Sequence, residues 1–205
     1  MWLLGIFTGL YLTLATHTSY TYNALMIGDS LSKWGYWVER LRANYGMRVT
    51  NMGVGSATSS HVVDFIVNKH IDIADNNFIT ILLGTNDCDG SVSQAVYKEN
   101  IIFMIDTIHL ANPEAYIVLI TPPIIRFNEY DTSSYTNAIY DIKNQMTSPY
   151  IYIADLHSGE YPILHQDLAR DGIHLNHAGD DKLYKNIRNV IDRFECPISI
   201  PISYY

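Results

Sequence analysis

Five short apolar runs along this chain have the length of β-strands, and segments with helical spacing separate them. The runs cover residues 24–27, 48–52, 78–83, 115–121 and 150–154. The third and fourth runs are almost continuously apolar, which is typical of strands that are covered on both faces of a sheet. We therefore expect a sheet whose central strands are fully buried.

The segments between the runs carry apolar residues at helical spacing. Trp34, Trp37, Val38 and Leu41 stand at i, i+3, i+4 and i+7, so they share one stripe of a helix. We expect all four in the core, although Trp34 would also suit the edge of a cleft. Asn176 is the predicted N-cap of the last helix. The same spacing recurs over residues 135–146 and 183–194, and residues 60–70 and 92–110, with less regular spacing, also indicate helices.

Strand and helix alternate five times, which predicts an α/β fold: a three-layer α/β/α sandwich around a five-stranded parallel sheet. No internal repeat or Pro/Gly-rich linker interrupts the pattern, so residues 20–205 are predicted to form a single domain. In parallel sheets of this kind, ligands bind at the carboxyl ends of the strands. The residues that follow each run are therefore the candidates for a functional site.

The first fifteen residues carry no charged side chain and are too short to cross a bilayer, which takes about 20 apolar residues. We interpret residues 1–19 as a signal peptide that is cleaved near Thr13 and Ala15, although a basic n-region is missing. An uncleaved apolar segment is the alternative. The signal peptide predicts a secreted, extracellular protein, in which Cys88 and Cys196 are able to pair; the sequence leaves their pairing open.

The net charge of the chain limits the classes of molecule that it is expected to bind. The formal net charge is −8, and the chain has no cluster of Lys or Arg. Such a surface repels phosphate backbones and anionic lipids, so we expect neither a nucleic acid nor a stable membrane partner. The sequence does not indicate an oligomeric state.

Polar residues gather directly after the predicted strands. Residues 28–30 (Gly-Asp-Ser) follow the first strand, and a turn over residues 51–56 follows the second. Residues 84–87 (Gly-Thr-Asn-Asp) follow the third strand, and residues 171–174 (Asp-Gly-Ile-His) lie between the fifth strand and the last helix. Because the carboxyl ends of parallel strands share one edge of the sheet, these residues are expected to form one site.

Three of these side chains have the chemistry of a nucleophilic triad. The Ser30 hydroxyl becomes a good nucleophile only when a base takes its proton, and histidine, with an ordinary pKa of about 6.5, suits that task. A carboxylate must fix the tautomer of the histidine. His174 and Asp171, on one loop, can supply these two parts. Taken alone, Ser30 would equally suit a helix N-cap.

A developing oxyanion needs hydrogen-bond donors that are already in place. The candidates are the backbone N–H of Ser30 at a helix start, a backbone N–H in the turn over residues 53–56, and the side-chain amide of Asn86. Two neighbouring carboxylates have plainer expected roles. Asp29 is expected to hold its turn through backbone amides, and Asp87 to be either a turn residue or a residue that supports the site from behind without contacting the substrate.

A metal site is the alternative for the same loop. Asp171 and His174 would then bind an ion together with a carboxylate of Asp167, Asp180 or Asp181. No recognised ligand spacing supports this arrangement. We therefore predict no metal and no cofactor.

At these positions the chain resembles the GDSL esterases, also called SGNH hydrolases, from residue 23 to residue 194. Residues 28–30 are similar to the nucleophile block of the family, 84–87 to its asparagine block and 171–179 to its acid–histidine block. The ITPP at 120–123 is also common in the family. The resemblance implies the flavodoxin-like SGNH hydrolase fold and a serine hydrolase that acts on ester bonds.

The resemblance also bears on the second oxyanion donor. Family members often carry Asn-x-x-x-x-Gly after the second strand, and the backbone N–H of that glycine contacts the oxyanion. Counted from Asn51, the glycine position is Ser56, and Gly55 lies one residue earlier. The resemblance therefore implies an oxyanion hole of Ser30, Asn86 and either Gly55 or Ser56.

The residues and the resemblance together predict a serine esterase that hydrolyses carboxylic esters through an acyl-enzyme on Ser30. Short connections between the blocks favour a shallow cleft and short acyl chains, including acetyl groups on carbohydrate, so the substrate is a small-molecule or glycan ester. A lipase or thioesterase with the same residues would differ only in substrate. The alternative from another functional class is a non-catalytic carbohydrate-binding module, although such a module would not need the serine, asparagine, aspartate and histidine of the predicted site together.

Overall fold

The computed structural model describes residues 22–69, 73–126 and 131–194. The predicted signal peptide over residues 1–19 and the cysteine Cys196 lie outside the described residues. Within the described part of the chain, no helix is long and apolar enough to span a membrane.

The sheet has five strands, and every pair of neighbours is parallel. The strands are β1 (Asn23–Gly28), β2 (Arg48–Gly53), β3 (Phe78–Leu82), β4 (Tyr116–Ile120) and β5 (Ile151–Ala154). Their order across the sheet is β2-β1-β3-β4-β5. The predicted five-stranded parallel sheet is confirmed, and each strand end lies within one residue of its predicted position.

Helices cover both faces of this sheet. They are α1 (Ser30–Lys33), α2 (Tyr36–Tyr45), α3 (Ser59–Lys69), α4 (Gln94–Ala111), α5 (Ser133–Gln145) and α6 (His177–Ile191). Helices α3, α4 and α5 pack on one face, and α2 and α6 pack on the other. The predicted three-layer α/β/α sandwich is confirmed.

Strand β1 shows how this packing follows from the sequence. Its side chains alternate between the two faces, so Leu25 and Ile27 join the core beneath α3 and α4, and Ala24 and Met26 join the core beneath α2 and α6. All four side chains are buried. A strand that is covered on both faces reads as a continuous apolar run, because neither face meets water.

The position of β1 determines where a site forms. The chain passes from β1 to β2 on one side and later to β3 on the other, so the strand order reverses beside β1. Gly28, the last residue of β1, pairs with Gly53 of β2 and with Leu82 of β3. The segments that leave these three strands therefore emerge side by side, which is where open α/β sheets bind ligands.

Candidate active site

The chain turns sharply after β1, and this turn carries Ser30. β1 ends at Gly28, and α1 begins two residues later at Ser30. Asp29 is the N-cap of α1, since its Oδ1 accepts a hydrogen bond from the N–H of Leu31 at 2.8 Å. The expectation that Asp29 holds the turn is confirmed. The helix-cap alternative for Ser30 is wrong, because Asp29 occupies that position.

Two glycines allow α1 to lie directly on the ends of β1 and β2. A Cβ on Gly28 would stand 2.2 Å from Oγ of Ser32 and 2.8 Å from a backbone carbonyl oxygen of β3. A Cβ on Gly53 would stand 2.3 Å from the backbone nitrogen of Lys33. Asn51 strengthens the attachment, because its Nδ2 donates to the carbonyl oxygen of Ser32 at 2.8 Å. Both strands therefore end in glycine because a side chain at either position would collide with α1.

A short hairpin before α6 carries the other two predicted triad residues. Leu168 and Leu175 form an antiparallel bridge at its base. Between them, Gly172 has a φ of +74° and packs against Arg126, which follows β4. The N–H of Arg126 donates to the carbonyl oxygen of Gly172 at 2.8 Å. The segment after β4 therefore supports the loop that carries His174, a role that the sequence did not indicate.

The imidazole of His174 lies between Ser30 and Asp171. Its Nε2 is 2.9 Å from Oγ of Ser30, and its Nδ1 is 2.7 Å from Oδ2 of Asp171. The other carboxylate oxygen of Asp171 accepts the backbone N–H groups of Ile173 and His174, both at 3.0 Å. The structure thus brings together the three side chains that were predicted to form a triad.

Hydrogen bonding sets the direction of proton donation in this group. The N–H of Ile173 and the imidazole of His174 lower the pKa of Asp171 to about 2, so its carboxylate is ionised at neutral pH and only accepts. Nδ1 of His174 must then be the donor in the 2.7 Å contact. In the neutral imidazole with its proton on Nδ1, Nε2 has a lone pair that can accept the proton of the Ser30 hydroxyl.

The candidate oxyanion donors lie on the segments that flank α1. The backbone N–H groups of Ser30, Gly55 and Ser56 donate to no other described residue. Asn86 follows β3, and its Nδ2 donates one of its two protons to the carbonyl oxygen of Ala57 at 2.9 Å. This bond ties the loop after β3 to the loop after β2. The second amide proton of Asn86 stays available for a ligand.

The backbone conformation that usually selects glycine occurs at Ser56 and not at Gly55. Within the described part of the chain, Ser56 is the only non-glycine residue with a positive φ, at +59°. That left-handed conformation usually selects glycine. Gly55 instead lies against Trp34, since a Cβ on Gly55 would stand 3.3 Å from Cη2 of the indole. Both N–H groups stay candidates for the second oxyanion donor.

Trp34 lies outside the core, and the expectation drawn from the apolar stripe is wrong for this residue. α2 begins only at Tyr36, so Trp34 lies on the connection between α1 and α2, and 64% of it is exposed. The other members of the stripe are buried. Its indole is edge-on to the imidazole of His174, with 5.5 Å between ring centroids. It lines, together with Ser30 and His174, a pocket of about 110 Å³.

Asp29 is fully buried beneath the nucleophile. Its Oδ2 has no hydrogen-bond partner among the residues that the structure describes. The pKa of Asp29 is raised to about 7, chiefly because burial penalises its charged form and also because the charge of Asp87 lies nearby, although the N–H of Leu31 and the charge of His174 oppose this rise. A carboxyl group that burial keeps partly protonated at neutral pH therefore caps α1.

Sequence analysis missed the contact between Asp87 and Ser59. Oδ1 of Asp87 accepts the backbone N–H of Ser59 at 2.9 Å and its hydroxyl at 2.5 Å. Asn100 of α4 donates to the same hydroxyl at 2.9 Å. Because Ser59 is the first residue of α3, this carboxylate binds a helix N-terminus and holds the neighbouring Asn86 in place. Only an Asp after the third strand and a Ser at a helix start hinted at this contact.

The carboxylates that were considered as metal ligands have other partners. Asp167 accepts from Nζ of Lys182 at 2.6 Å, and Asp181 accepts from Arg40 at 2.5 Å. Asp180 lies against the N-terminus of α2, and burial raises its pKa to about 6. In the described ranges, no group of three or more His, Cys, Asp and Glu side chains is placed to hold a metal ion.

Comparison with protein families shows that the sequence model of the GDSL-like Lipase/Acylhydrolase family matches residues 19–182. No curated protein sequence matches the chain.

Solved structures share the fold at low sequence identity. A lipase/acylhydrolase from Enterococcus faecalis is 24% identical, with a TM-score of 0.68 over 83% of this chain and 95% of its own. A carbohydrate esterase of family 3 from Talaromyces cellulolyticus is 16% identical, with a TM-score of 0.65 over 83% and 96%. A variant of an acetyl-xylooligosaccharide esterase from Geobacillus is 19% identical, with a TM-score of 0.65 over 82% and 93%. These likenesses show the fold.

Proposed function

The chain belongs to the GDSL-like lipase/acylhydrolase family, and we propose that it is a serine esterase with Ser30 as its nucleophile. The observation that carries this proposal is the pair of contacts made by His174. Its imidazole is 2.9 Å from the Ser30 hydroxyl and 2.7 Å from the Asp171 carboxylate. A nucleophile, a base and a carboxylate that orients the base are the three parts that acyl transfer requires.

Acylation begins when Oγ of Ser30 attacks the carbonyl carbon of the ester. The hydroxyl proton moves to Nε2 of His174, and Asp171 stabilises the resulting imidazolium through Nδ1. The tetrahedral intermediate then collapses, and the bond between the carbonyl carbon and the alcohol oxygen breaks. Nε2 returns its proton to that oxygen, so a neutral alcohol leaves and the acyl group stays on Ser30.

Deacylation repeats these steps with water as the nucleophile. A water molecule gives a proton to Nε2 of His174 and attacks the acyl carbon. Collapse of the second intermediate breaks the bond to Oγ of Ser30, which recovers its proton from Nε2. The acid is released, and the enzyme returns to its starting state without a cofactor.

The negative charge of each intermediate requires donors at the carbonyl oxygen. The free N–H of Ser30, the free N–H of Gly55 or Ser56, and the second amide proton of Asn86 are the proposed set. They belong to segments that leave three adjacent strands, and a rigid sheet therefore holds them. Preorganised donors of this kind typically contribute about 10²–10³-fold to the rate each.

We propose that the acyl group is short, with acetyl esters as the first substrates to test. The pocket that Ser30 lines has a volume of about 110 Å³. Sites that enclose drug-sized ligands have volumes of roughly 300–1,000 Å³. A small, open pocket favours an acyl group that needs little enclosure.

A preference for longer acyl chains is the second candidate. An apolar cavity of about 110 Å³ lies beside the loop after β2, between Met52, Val54 and Phe65. If this cavity receives the acyl chain, octanoyl esters will be better substrates than acetyl esters. Comparing kcat/KM for p-nitrophenyl esters from acetyl to octanoyl separates the two candidates.

Labelling with a fluorophosphonate tests the proposed mechanism directly, because only an activated serine reacts. We expect the parent protein to be labelled and to hydrolyse p-nitrophenyl acetate. The Ser30→Ala protein should remain folded, take up no label and lose about 10⁵–10⁶-fold in kcat. A Ser30→Ala protein that is labelled or as active as the parent would refute the assignment of the nucleophile.

A further inference from the structure

The proposed triad of this chain is open to water. The side chain of His174 is 35% exposed, and that of Asp171 is 49% exposed. Hydrogen bonds between charged groups at such positions hold a side chain weakly, because water competes for the same donors and acceptors. The contacts of the imidazole with Ser30 and Asp171 are therefore too weak to keep it in one orientation by themselves. A packing contact has to limit its rotation.

Trp34 makes this packing contact. Its indole is edge-on to the imidazole of His174, with 5.5 Å between the ring centroids. Among the residues that the structure describes, it is the only aromatic side chain in contact with that imidazole. Aromatic pairs of this geometry are favourable beyond the area that they bury, by roughly 2–10-fold in an equilibrium constant. The contact therefore disfavours rotamers of His174 that turn the imidazole away from Ser30.

The indole is itself held by the segments that carry the rest of the site. The backbone N–H of Trp34 donates to the carbonyl oxygen of Ser30 at 3.0 Å, which fixes its backbone relative to the nucleophile. The ring lies against Gly55, where a Cβ would stand 3.3 Å from Cη2. Gly55 does not have a positive φ, so glycine at this position is explained by the room that the indole needs. Trp34 thus contacts the nucleophile turn, the loop after β2 and His174.

The stability of the fold does not account for an indole at position 34. Large aromatic side chains stabilise a protein through the area that they bury. Trp37, three residues further along, is fully buried, whereas Trp34 is 64% exposed. Truncation of Trp34 should consequently cost little stability, although it removes the ring that packs on His174.

We propose that Trp34 is a positioning residue, whose indole keeps the imidazole of His174 against Ser30 in a triad that is open to water. The inference rests on the proposed esterase function and adds a residue to its site. Trp34 acts through His174, which serves both acylation and deacylation. It should therefore affect the turnover of every ester and should not select one alcohol over another.

Two acetyl esters with different alcohols test the inference. Methyl acetate and p-nitrophenyl acetate share the acyl group, and pH-stat titration follows the hydrolysis of both. Since a displacement of about 1 Å at the reacting groups can cost about 10²-fold in rate, Trp34→Ala should lower kcat about 10–100-fold on both esters, with little change in KM. A loss confined to one ester, or a loss mainly through KM, would overturn the inference, because Trp34 would then act by contacting the substrate.

Two further variants act as controls. Trp34→Phe keeps an aromatic ring at this position and should retain most of the activity. Tyr36→Ala removes another aromatic ring, which is 63% exposed and two residues away, and should be as active as the parent. Urea unfolding checks that each variant is folded under the assay conditions. Full kcat in Trp34→Ala, or the same loss in Tyr36→Ala, would contradict the positioning role.

A measurement without substrate separates this inference from the proposed function. Three-bond NMR couplings of isotopically labelled histidine give the χ1 populations of His174, whose signals are identified by their loss in His174→Gln. We expect one staggered rotamer in the parent and in Trp34→Phe, and averaging among rotamers in Trp34→Ala. If the parent hydrolyses no ester but the rotamers behave in this way, the proposed function fails and the positioning role stands. If His174 averages in the parent, or keeps one rotamer in Trp34→Ala, the positioning role is refuted and the esterase function is unaffected.

Discussion

Ser30 and His174 are 144 positions apart in the sequence, yet their side chains approach to 2.9 Å. Ser30 stands at the start of a helix that caps the central strand, and His174 stands on a hairpin that leads into the last helix. The two elements are held independently, one by glycines at the strand ends and the other by contacts with Arg126. Substitutions in either element should therefore affect activity through the geometry of this contact.

Asp171→Asn should lower kcat about 10³–10⁴-fold. The amide of an asparagine can donate to Nδ1, which would favour the tautomer in which Nε2 carries the proton and cannot accept from Ser30. Because the Asp171 side chain is about half exposed, we expect little loss of stability. Steady-state kinetics and urea unfolding measure the two effects. Asp64→Asn, at an exposed helix position, is the control, and equal activity in both variants would contradict the role of Asp171.

Asn86→Ala should lower kcat about 10²–10³-fold, since it removes one proposed oxyanion donor. It also removes the bond to the carbonyl oxygen of Ala57, so a structural effect must be separated from a catalytic one. Asn112→Ala is the matched control, because Nδ2 of Asn112 makes a similar bond to the carbonyl oxygen of Asn76 before β3. If both variants lose activity to the same extent, Asn86 acts through the fold and not at the oxyanion.

Ser56→Gly should increase the free energy of unfolding by about 0.5–1 kcal/mol. A left-handed conformation destabilises the folded state by about 1–2 kcal/mol at a residue with a Cβ, and glycine avoids this cost. The greater backbone freedom of glycine stabilises the unfolded chain by about 0.5–1 kcal/mol, which offsets part of the gain. Ser56→Val should instead lose about 1 kcal/mol or more, because a β-branched side chain tolerates this conformation poorly. Thermal or urea unfolding of the three proteins gives the order. A Ser56→Gly protein that is less stable than the parent would show that the serine side chain contributes more than its backbone costs.

Asp29 should make the stability of the protein fall as pH rises from about 4 to about 7. Its pKa is about 7 in the folded protein against 3.8 when exposed, so in this interval the folded state holds a proton that the unfolded state has lost. At 1.36 kcal/mol per pH unit, the full effect is up to about 4 kcal/mol. This contribution is present at and below pH 4 and is lost above pH 7.

Asp29→Asn tests the origin of that slope, since asparagine resembles the protonated acid and can still accept from Leu31. We expect the variant to gain stability relative to the parent at pH 8 and not at pH 4, as measured by urea unfolding at both values. Asp180, whose pKa burial raises to about 6, titrates in the same interval, so the slope should decrease without vanishing. A variant with the same pH slope as the parent would show that Asp29 is not the group responsible.

Several features of the candidate site required the tertiary structure. Trp34 has the spacing of a core residue, but the break between α1 and α2 places its ring beside His174. Asp87 and Ser59 are 28 positions apart and carry no shared motif, yet their contact holds the loop of Asn86. Arg126 supports the hairpin from another segment altogether. Each of these contacts joins separate segments of the chain, and a local sequence pattern does not indicate how close such segments lie in space.

The sequence by itself determined the strands, the order of strand and helix, the α/β class and the three triad candidates. The spacing of apolar residues and the residues that follow each strand contain that information, because burial of one or two faces of an element determines which of its positions are apolar. Only the tertiary structure decided that Ser56 takes a left-handed backbone and that Trp34 faces solvent beside His174. Those outcomes depend on how close distant segments approach, which is set by packing and cannot be derived from the spacing of residues along one segment.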